Sequence, residues 1–311
     1  MIGYIARRLA FAVVLVFAVS SASLLLARLA PGDFVTTTIG INSTREAQEA
    51  ARARYGLNRS IGAQYRDWLI GAVHFDFGRS MQYDRPVTDL IPERALNTGI
   101  LALTALAVAT LIGLPLGVIT GTRRHGAVPA VIRAVSIVLL SMPPLLTSLF
   151  LVFVAAKSGW LPVGGMTSST GGELLSHMIV PVGALALPLV AMFERLQSQA
   201  MSETIGQPFV VATFGRGVPL SRVIWRDALK HALKPIASVY GLVVGTLLSG
   251  SFAVETVTAW PGLGQLMLGA LRARDVYLVA GCAAAGAVFL AAGTLLSDAA
   301  LAFVDPRTAA D

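Results

Sequence analysis

The sequence predicts an all-α integral membrane protein with six transmembrane helices, and its composition and apolar runs support this. Of its 311 residues, 55% are hydrophobic and 13% are charged, and the mean hydropathy is +0.71. Soluble domains carry about 25% charged residues. Six runs reach the roughly 20 apolar residues that a spanning helix needs, and helices are expected because lipid offers the backbone no hydrogen-bond partners. The predicted spans are roughly 9–29, 97–121, 132–156, 178–197, 236–257 and 278–300.

The N-terminal region, residues 1–30, contains the first predicted span. Arg7 and Arg8 precede a run from Leu9 to about Ala27 that is too long for the apolar core of a cleaved signal peptide. We therefore interpret it as an uncleaved transmembrane helix.

A long polar segment, residues 31–94, follows the first span, and we predict a folded external loop. It carries eight basic and eight acidic residues, a balance that gives no orientation signal. Ser43 with Glu46 fits a capping box, and Gly56 can end the helix that follows. Residues 61–73 have the periodicity of a second, amphipathic helix.

The basic residues of the short loops indicate the orientation. Positive charge concentrates on the cytoplasmic side of membrane proteins. Both termini are then cytoplasmic, residues 95–303 form the transmembrane core, and residues 304–311 are a cytoplasmic tail. The residues that give this orientation are Arg7, Arg8, Arg123, Arg124, Arg133, Arg216, Arg222, Arg226, Lys230 and Lys234.

The sequence also argues against several functions. We expect no titratable residue in the cores of the six spans, with Glu255 and Asp298 towards helix ends, which disfavours a proton relay. The phosphate-binding pattern G-x-x-x-x-G-K-[ST] is absent. The four histidines are scattered and Cys282 is the single cysteine, so we predict no catalytic residues, no metal site and no cofactor in this chain. The charge blocks between apolar runs favour membrane topology over nucleic-acid binding.

The loop between the fourth and fifth spans, residues 204–235, is the most informative segment. Gln207-Pro208 predicts the start of a short helix to about Phe214, and Gly215 and Gly217 predict its end. A second helix follows, in which Arg222, Arg226, Lys230 and Lys234 recur every four residues as one basic stripe. Such an elbow could transmit force from a soluble partner, or it could lie on anionic lipid headgroups. The spacing alone slightly favours the second interpretation.

At this loop the sequence resembles a known family. The residues from Phe209 to Gly217 and from Arg222 to Pro235 are similar to the ATPase-docking motif of binding-protein-dependent ABC importers, in the dipeptide/oligopeptide permease form. Further matching stretches occur in order along nearly the whole chain. They include Ala30-Pro-Gly-Asp33, Tyr55-Gly-Leu-Asn58, Asp76-Phe-Gly-Arg-Ser80, Gly159-Trp-Leu-Pro162, Ala259-Trp-Pro-Gly-Leu-Gly264 and Asp305-Pro-Arg307.

The resemblance implies a type I importer fold in the bacterial inner membrane. It also implies a second homologous permease subunit, two cytoplasmic ABC ATPases that bind ATP and Mg, an extracytoplasmic binding protein and a peptide substrate. The ATPase-docking residues it implies are Phe209, Thr213, Phe214, Gly215, Arg216, Gly217, Leu220, Arg222 and Arg226.

The chain departs from the family pattern within the docking loop. Phe214-Gly-Arg-Gly217 stands where a more basic run is usual, and Val211-Ala-Thr213 and Lys234 also differ. The cargo therefore stays open among peptides, nickel complexes, glutathione, opines and oligosaccharides. A secondary carrier and a non-transporting scaffold are the remaining alternatives.

The turn-rich stretch 259–264 offers a last candidate site. Glu255 and Trp260 could shape the external mouth of the path, or the stretch could be an interfacial turn with an anchoring tryptophan. We favour the structural interpretation.

Overall fold

The structure is a computed structural model that describes residues 2–40, 43–123, 125–166 and 171–304. Within these ranges the regular secondary structure is helical, apart from one isolated antiparallel bridge between Arg79 and Pro86. The α-helices are α1 Ile2–Leu29, α2 Arg45–Arg54, α3 Ile61–Val73, α4 Val87–Thr122, α5 Ala127–Ser141, α6 Pro144–Ser158, α7 Gly171–Ile205, α8 Pro208–Gly215, α9 Leu220–Arg222, α10 Leu229–Ala232, α11 Lys234–Val257, α12 Leu263–Ala273 and α13 Val276–Val304. Two π-helical segments cover Val35–Ile39 and Val223–Ala228.

Five helices are long and apolar enough to cross a membrane, and the number is six if the pair α5 and α6 forms one span. The prediction of an all-helical membrane protein is therefore confirmed. The third predicted span, 132–156, corresponds to the pair α5 and α6, which are bent by 106° at the break between them. Met142 and Pro143 have extended backbones at the break, as expected for residues that precede a proline.

The predicted helices of the external segment are confirmed with one correction. Helix α3 has the predicted bounds, and Gly56 adopts φ +65° just after α2, where Leu57 N donates to Arg52 O at 2.8 Å. The capping pair Ser43 and Glu46 is wrong by one residue. Thr44 is the N-cap of α2, since its backbone is extended and its side chain accepts from Ala47 N.

The chain forms two compact units. The first comprises residues 1–99 and 261–291, and the second comprises residues 100–260 and 292–311. Arg124 and the predicted tail motif Asp305-Pro-Arg307 lie outside the described residues.

The first unit is held by aromatic and aliphatic packing around α3. Trp68 and Ala72, on one face of α3, are buried against Leu24 of α1 and Ala280 of α13. The external segment therefore shares its core with α1 and α13.

The second unit is built on α7. Its core contains Leu185, Leu189 and Phe193 of α7, packed with residues of α4 and α11. Helix α4 approaches α7 closely at three glycines spaced four residues apart. A Cβ at Gly117, the middle one, would lie 2.5 Å from Gln197 Cβ and 2.6 Å from Glu194 O. Only glycine allows this approach, which resembles the small-residue contacts common in membrane helix pairs.

Candidate functional site

The segment between α7 and α11, residues 206–233, forms the elbow that the sequence predicts. Gln207 has an extended backbone, and Pro208 begins α8. Proline suits this position because a backbone N–H in the first turn of a helix has no hydrogen-bond partner within the helix. Helix α8 ends at Gly215, and Gly217 follows with φ +82°. That conformation favours glycine, so the predicted turn at Gly217 is confirmed.

The inner side of the elbow packs on the C-terminal part of α7. Val210 is the buried residue of α8, and it clusters with Val223 and Ala228 of the π-helical segment and with Ala200 and Met201 of α7. Phe209 also contacts His231 of α10, with ring centroids 4.6 Å apart. These contacts hold α8 against α7, the π-helical segment and α10.

Several large apolar side chains of the elbow are exposed. Phe209 is 39% exposed, Phe214 56% and Leu220 57%. Val211 and Trp225 are exposed as well. Clustered large apolar side chains with a polar rim are typical of a protein-interaction site. Trp225 was not among the predicted docking residues, and its indole adds to the same exposed side chains.

Basic side chains accompany this apolar surface. Arg216, Arg222, Arg226 and Lys230 are exposed, whereas Lys234 is half-buried at the start of α11. In the π-helical segment Val223–Ala228 the hydrogen bonds run from residue i to i+5, so residues four to five apart lie above one another. The predicted stripe therefore holds for its first three members, and Lys234 departs from it because it is partly covered.

The structure brings all nine predicted docking residues onto the elbow. Thr213 is the one whose hydroxyl is used within the helix, donating to Phe209 O at 2.8 Å. The other polar and apolar docking side chains are exposed. Their role in binding an ATPase stays a prediction.

Glu255 and Trp260 lie elsewhere in the second unit and are both buried, with 0% and 1% exposure. Trp260 N donates to Glu255 O at 2.9 Å, and Thr258 O accepts from Gly165 N at 2.8 Å. Burial and backbone bonding are what an anchored turn requires. The assignment of these two residues to an external mouth stays a prediction.

A cavity of about 470 Å³ with several polar side chains in its lining lies among α4, α5 and α7 in the second unit. Its charged and polar lining residues are Thr120, Arg133, Ser136, Glu194, Arg195, Ser198, Gln199 and Ser202. Glu194 is 2% exposed, and its Oε1 accepts a hydrogen bond from Thr120 Oγ1 at 2.5 Å. The cavity combines one carboxylate, two guanidinium groups and several hydroxyls in a helix bundle.

Sequence reasoning did not single out Glu194. Glu194 and Arg195 lie within the predicted span 178–197, close enough to its end to pass for interfacial residues. In the structure α7 continues to Ile205, so Glu194 lies well inside the helix. An ionisable residue inside a spanning helix was the available signal.

Comparison with known families gives two matches. Residues 113–310 match the family described as "Binding-protein-dependent transport system inner membrane component". Residues 1–99 match the corresponding N-terminal family. Together they cover both the external segment and the helices that carry the elbow.

Curated relatives match over nearly their whole length. The chain is 30% identical to an oligopeptide transport system permease protein of Bacillus subtilis (strain 168), covering 99% of each chain. It is also 30% identical to a putative peptide permease protein of Brucella suis biovar 1, again with 99% of each covered. A probable peptide ABC transporter permease protein of Sinorhizobium fredii is 28% identical, with 98% of each covered.

Proposed function

The chain belongs to the family of binding-protein-dependent transport system inner membrane components, and on that premise we propose that it is the permease subunit of an ATP-driven importer of short peptides. It pairs with a homologous permease subunit in the inner membrane. Two cytoplasmic ATPases bind ATP and Mg, and an extracytoplasmic binding protein delivers the cargo. Both termini lie in the cytoplasm.

The exposed apolar side chains of the elbow carry this proposal. Burying Phe214, Leu220 and Trp225 in a partner would contribute favourable free energy at about 25 cal/mol per Å² of apolar surface. Arg216, Arg222 and Arg226 around them would favour an acidic rim on that partner. An ATPase groove of this chemistry fits the elbow better than a lipid surface does, because apolar and basic residues occupy a turn fixed by Gly217 rather than one amphipathic helix.

The packing of the elbow suggests how force reaches the membrane. Val210 and Val223 are buried against Ala200 and Met201 of α7. A displacement of α8 by the closing ATPases would therefore move α7 as well, since interiors packed at this density transmit strain. Helix α7 would pass this movement to the path between the two permease subunits.

Peptides are the leading cargo because the relatives named above are described as peptide or oligopeptide permeases. That description belongs to those proteins, and at about 30% identity the cargo of this chain is part of the proposal. Nickel complexes, glutathione, opines and oligosaccharides are the alternative cargoes.

The buried Glu194 gives a second candidate function some support. A carboxylate inside a spanning helix is typical of carriers driven by a proton or sodium gradient. A self-sufficient carrier would take up cargo from the purified chain alone under such a gradient, without nucleotide. A scaffold without transport would lack uptake altogether.

Gentle purification of the tagged chain from its own membranes, followed by mass spectrometry, tests the proposal. We expect a related permease subunit and ATPases with a phosphate-binding loop. The variant Phe214→Ala should lower ATPase recovery relative to the second permease. Phe11→Ala, which removes a similarly exposed ring on α1 (61% against 56%), should not. Recovery of the chain alone, with uptake under an ion gradient, would establish the carrier instead.

A further inference from the structure

The cavity among α4, α5 and α7 has a chemistry that the docking of an ATPase does not explain. One wall is apolar and includes Ile137, Leu140 and Ala191, and the rest carries charge and hydroxyl groups. Its volume of about 470 Å³ lies in the range of about 300 to 1,000 Å³ that is typical of small-molecule sites. A membrane protein gains no stability from lining such a space with charges, so these residues need a functional reason.

Glu194 is the residue that calls for a ligand. It is 2% exposed, and in the described part of the chain its side chain is bonded to Thr120 Oγ1 and has no ion-pair partner. A buried carboxylate costs free energy unless it is paired or well hydrogen-bonded. One hydroxyl satisfies a fraction of the bonds that two carboxylate oxygens accept. A positively charged group entering the cavity would complete its coordination.

The two arginines of the cavity do not serve that purpose. Arg133 Nη2 donates to Thr120 O at 2.6 Å, which ties it to the backbone at the end of α4. Arg195 follows Glu194 in sequence and is exposed. The cavity therefore presents a carboxylate at one place and a guanidinium at another, which suits a ligand with an ammonium group and a carboxylate.

We infer that this cavity is a transient binding site for short peptides on their way through the permease, with Glu194 receiving the peptide ammonium group and Arg195 its carboxylate. The inference rests on the proposed function and adds the site at which the permease itself contacts its cargo. Ser198 and Gln199, one helical turn further along α7, supply hydrogen-bonding groups to the same cavity, and the apolar lining residues accept side chains without selecting among them.

Helix α7 links this site to the elbow. The lining residues 191, 194, 195, 198, 199 and 202 recur at spacings of three and four, so they share one face of α7. Ala200, which packs against Val210 of the elbow, lies on the opposite face. A shift of α7 driven from the elbow would therefore change the cavity, and the site would bind its cargo in one state and release it in the other.

The same zwitterionic chemistry is present in the headgroup of phosphatidylethanolamine. The lipid composition distinguishes a peptide ligand from a lipid headgroup, because vesicles of phosphatidylglycerol contain no ammonium group. The test therefore uses the complete complex of permeases, ATPases and loaded binding protein, reconstituted in phosphatidylglycerol vesicles and, in parallel, with phosphatidylethanolamine added. Uptake of trialanine per ATP hydrolysed is the measured quantity.

Glu194→Gln retains an oxygen that accepts from Thr120 and removes the charge. We expect it to lower trialanine uptake per ATP at least fivefold in both kinds of vesicle, with complex recovery and ATP hydrolysis within twofold of wild type. Glu46→Gln, the same change at an exposed position of α2 outside the cavity lining, should keep wild-type uptake. Arg195→Gln, at an exposed position that folding tolerates, should also lower uptake.

Three outcomes overturn the inference. They are normal uptake by both Glu194→Gln and Arg195→Gln, a defect confined to vesicles that contain phosphatidylethanolamine, and an equal defect in Glu46→Gln. Absence of ATP-dependent trialanine uptake by the wild-type complex would instead count against the proposed function, which keeps the two failures apart.

Discussion

Ser80 Oγ donates a hydrogen bond to Asp275 Oδ2 at 2.6 Å, although the two residues are 195 positions apart in the sequence. Both side chains are fully buried in the first unit. The same carboxylate oxygen accepts from Gln82 N at 3.0 Å, and Oδ1 accepts from Leu278 N in the first turn of α13. Asp275 thus caps a spanning helix and holds the external segment to it through one carboxylate.

Ser80→Ala should loosen the external segment. The variant leaves the buried carboxylate of Asp275 without its hydroxyl donor, and a hydrogen bond to a charged group contributes about 1.5–3 kcal/mol. Amide hydrogen exchange in residues 79–86 should show a fall in the free energy of local opening of that size. Ser60→Ala removes the N-cap of α3 and should cost only about 1 kcal/mol. An unchanged exchange rate in Ser80→Ala would show that the carboxylate is satisfied in another way.

Gly117→Ala should disrupt the contact between α4 and α7. The added methyl would lie 2.5 Å from Gln197 Cβ and 2.6 Å from the backbone oxygen of Glu194, and overpacking of this kind typically costs about 1–3 kcal/mol. Thermal unfolding in detergent measures the loss.

Gly286→Ala is the matched control for that change. It is also a glycine within a spanning helix, and a Cβ there meets nothing within 4 Å. Because alanine has the higher helix propensity, we expect a neutral effect or a gain of up to about 1 kcal/mol. Equal stability of the two variants would contradict the close approach of α4 and α7.

Gly217→Asp should uncouple uptake while leaving membrane insertion intact. Gly217 has φ +82° and no neighbouring atom within 4 Å of an added Cβ. Aspartate is among the few residues that adopt this conformation, so the elbow should keep its shape and gain a negative charge at the docking surface. Uptake per assembled complex should fall at least tenfold. Gly217→Asn, with the same shape and no charge, should retain more uptake, and normal uptake by the aspartate variant would contradict the docking assignment.

Asp33 should make the external segment acid-sensitive. Burial raises the pKa of Asp33, but hydrogen bonds from Arg52 Nε at 2.8 Å and Thr36 N at 2.7 Å outweigh it and hold the pKa below its ordinary value of 3.8. A carboxyl group whose folded pKa is lowered contributes stability above the unfolded pKa, and this is lost as the pH falls through the folded value.

Denaturant unfolding monitored by tryptophan fluorescence, from about pH 6 to below about pH 3.8, measures that effect. Wild type should lose stability below the ordinary pKa of aspartate, and Asp33→Asn should lose less over the same interval because it has no carboxyl to protonate. Parallel curves for the two proteins would contradict the role of the pair Asp33 and Arg52.

Local sequence signals predicted a large part of the fold. Helix α3, the turn at Gly56 and the elbow with its Gly217 turn follow from caps, glycines and periodicity, which act between neighbouring residues. The contact between Ser80 and Asp275 and the approach of Gly117 to Gln197 join distant segments, and no local pattern reports them. The size of the 106° bend at Met142 and Pro143 does not follow from hydropathy, which measures length and polarity, not direction. Glu194 was missed because helix ends are the least certain feature of a sequence-based assignment.

The position of Glu194 in α7 has a consequence for the surrounding bilayer. The uncharged apolar run 178–193 has roughly 16 residues and is about 24 Å long at 1.5 Å per residue, against a hydrocarbon thickness of about 30 Å. An apolar run shorter than the hydrocarbon is accommodated by local thinning of the bilayer or by association with other helices, and α7 packs against α4 and α11 in the second unit. The length of the lipid acyl chains should therefore affect this protein. A thicker bilayer would place the charged end of α7, and the cavity lined by Glu194, deeper in the hydrocarbon.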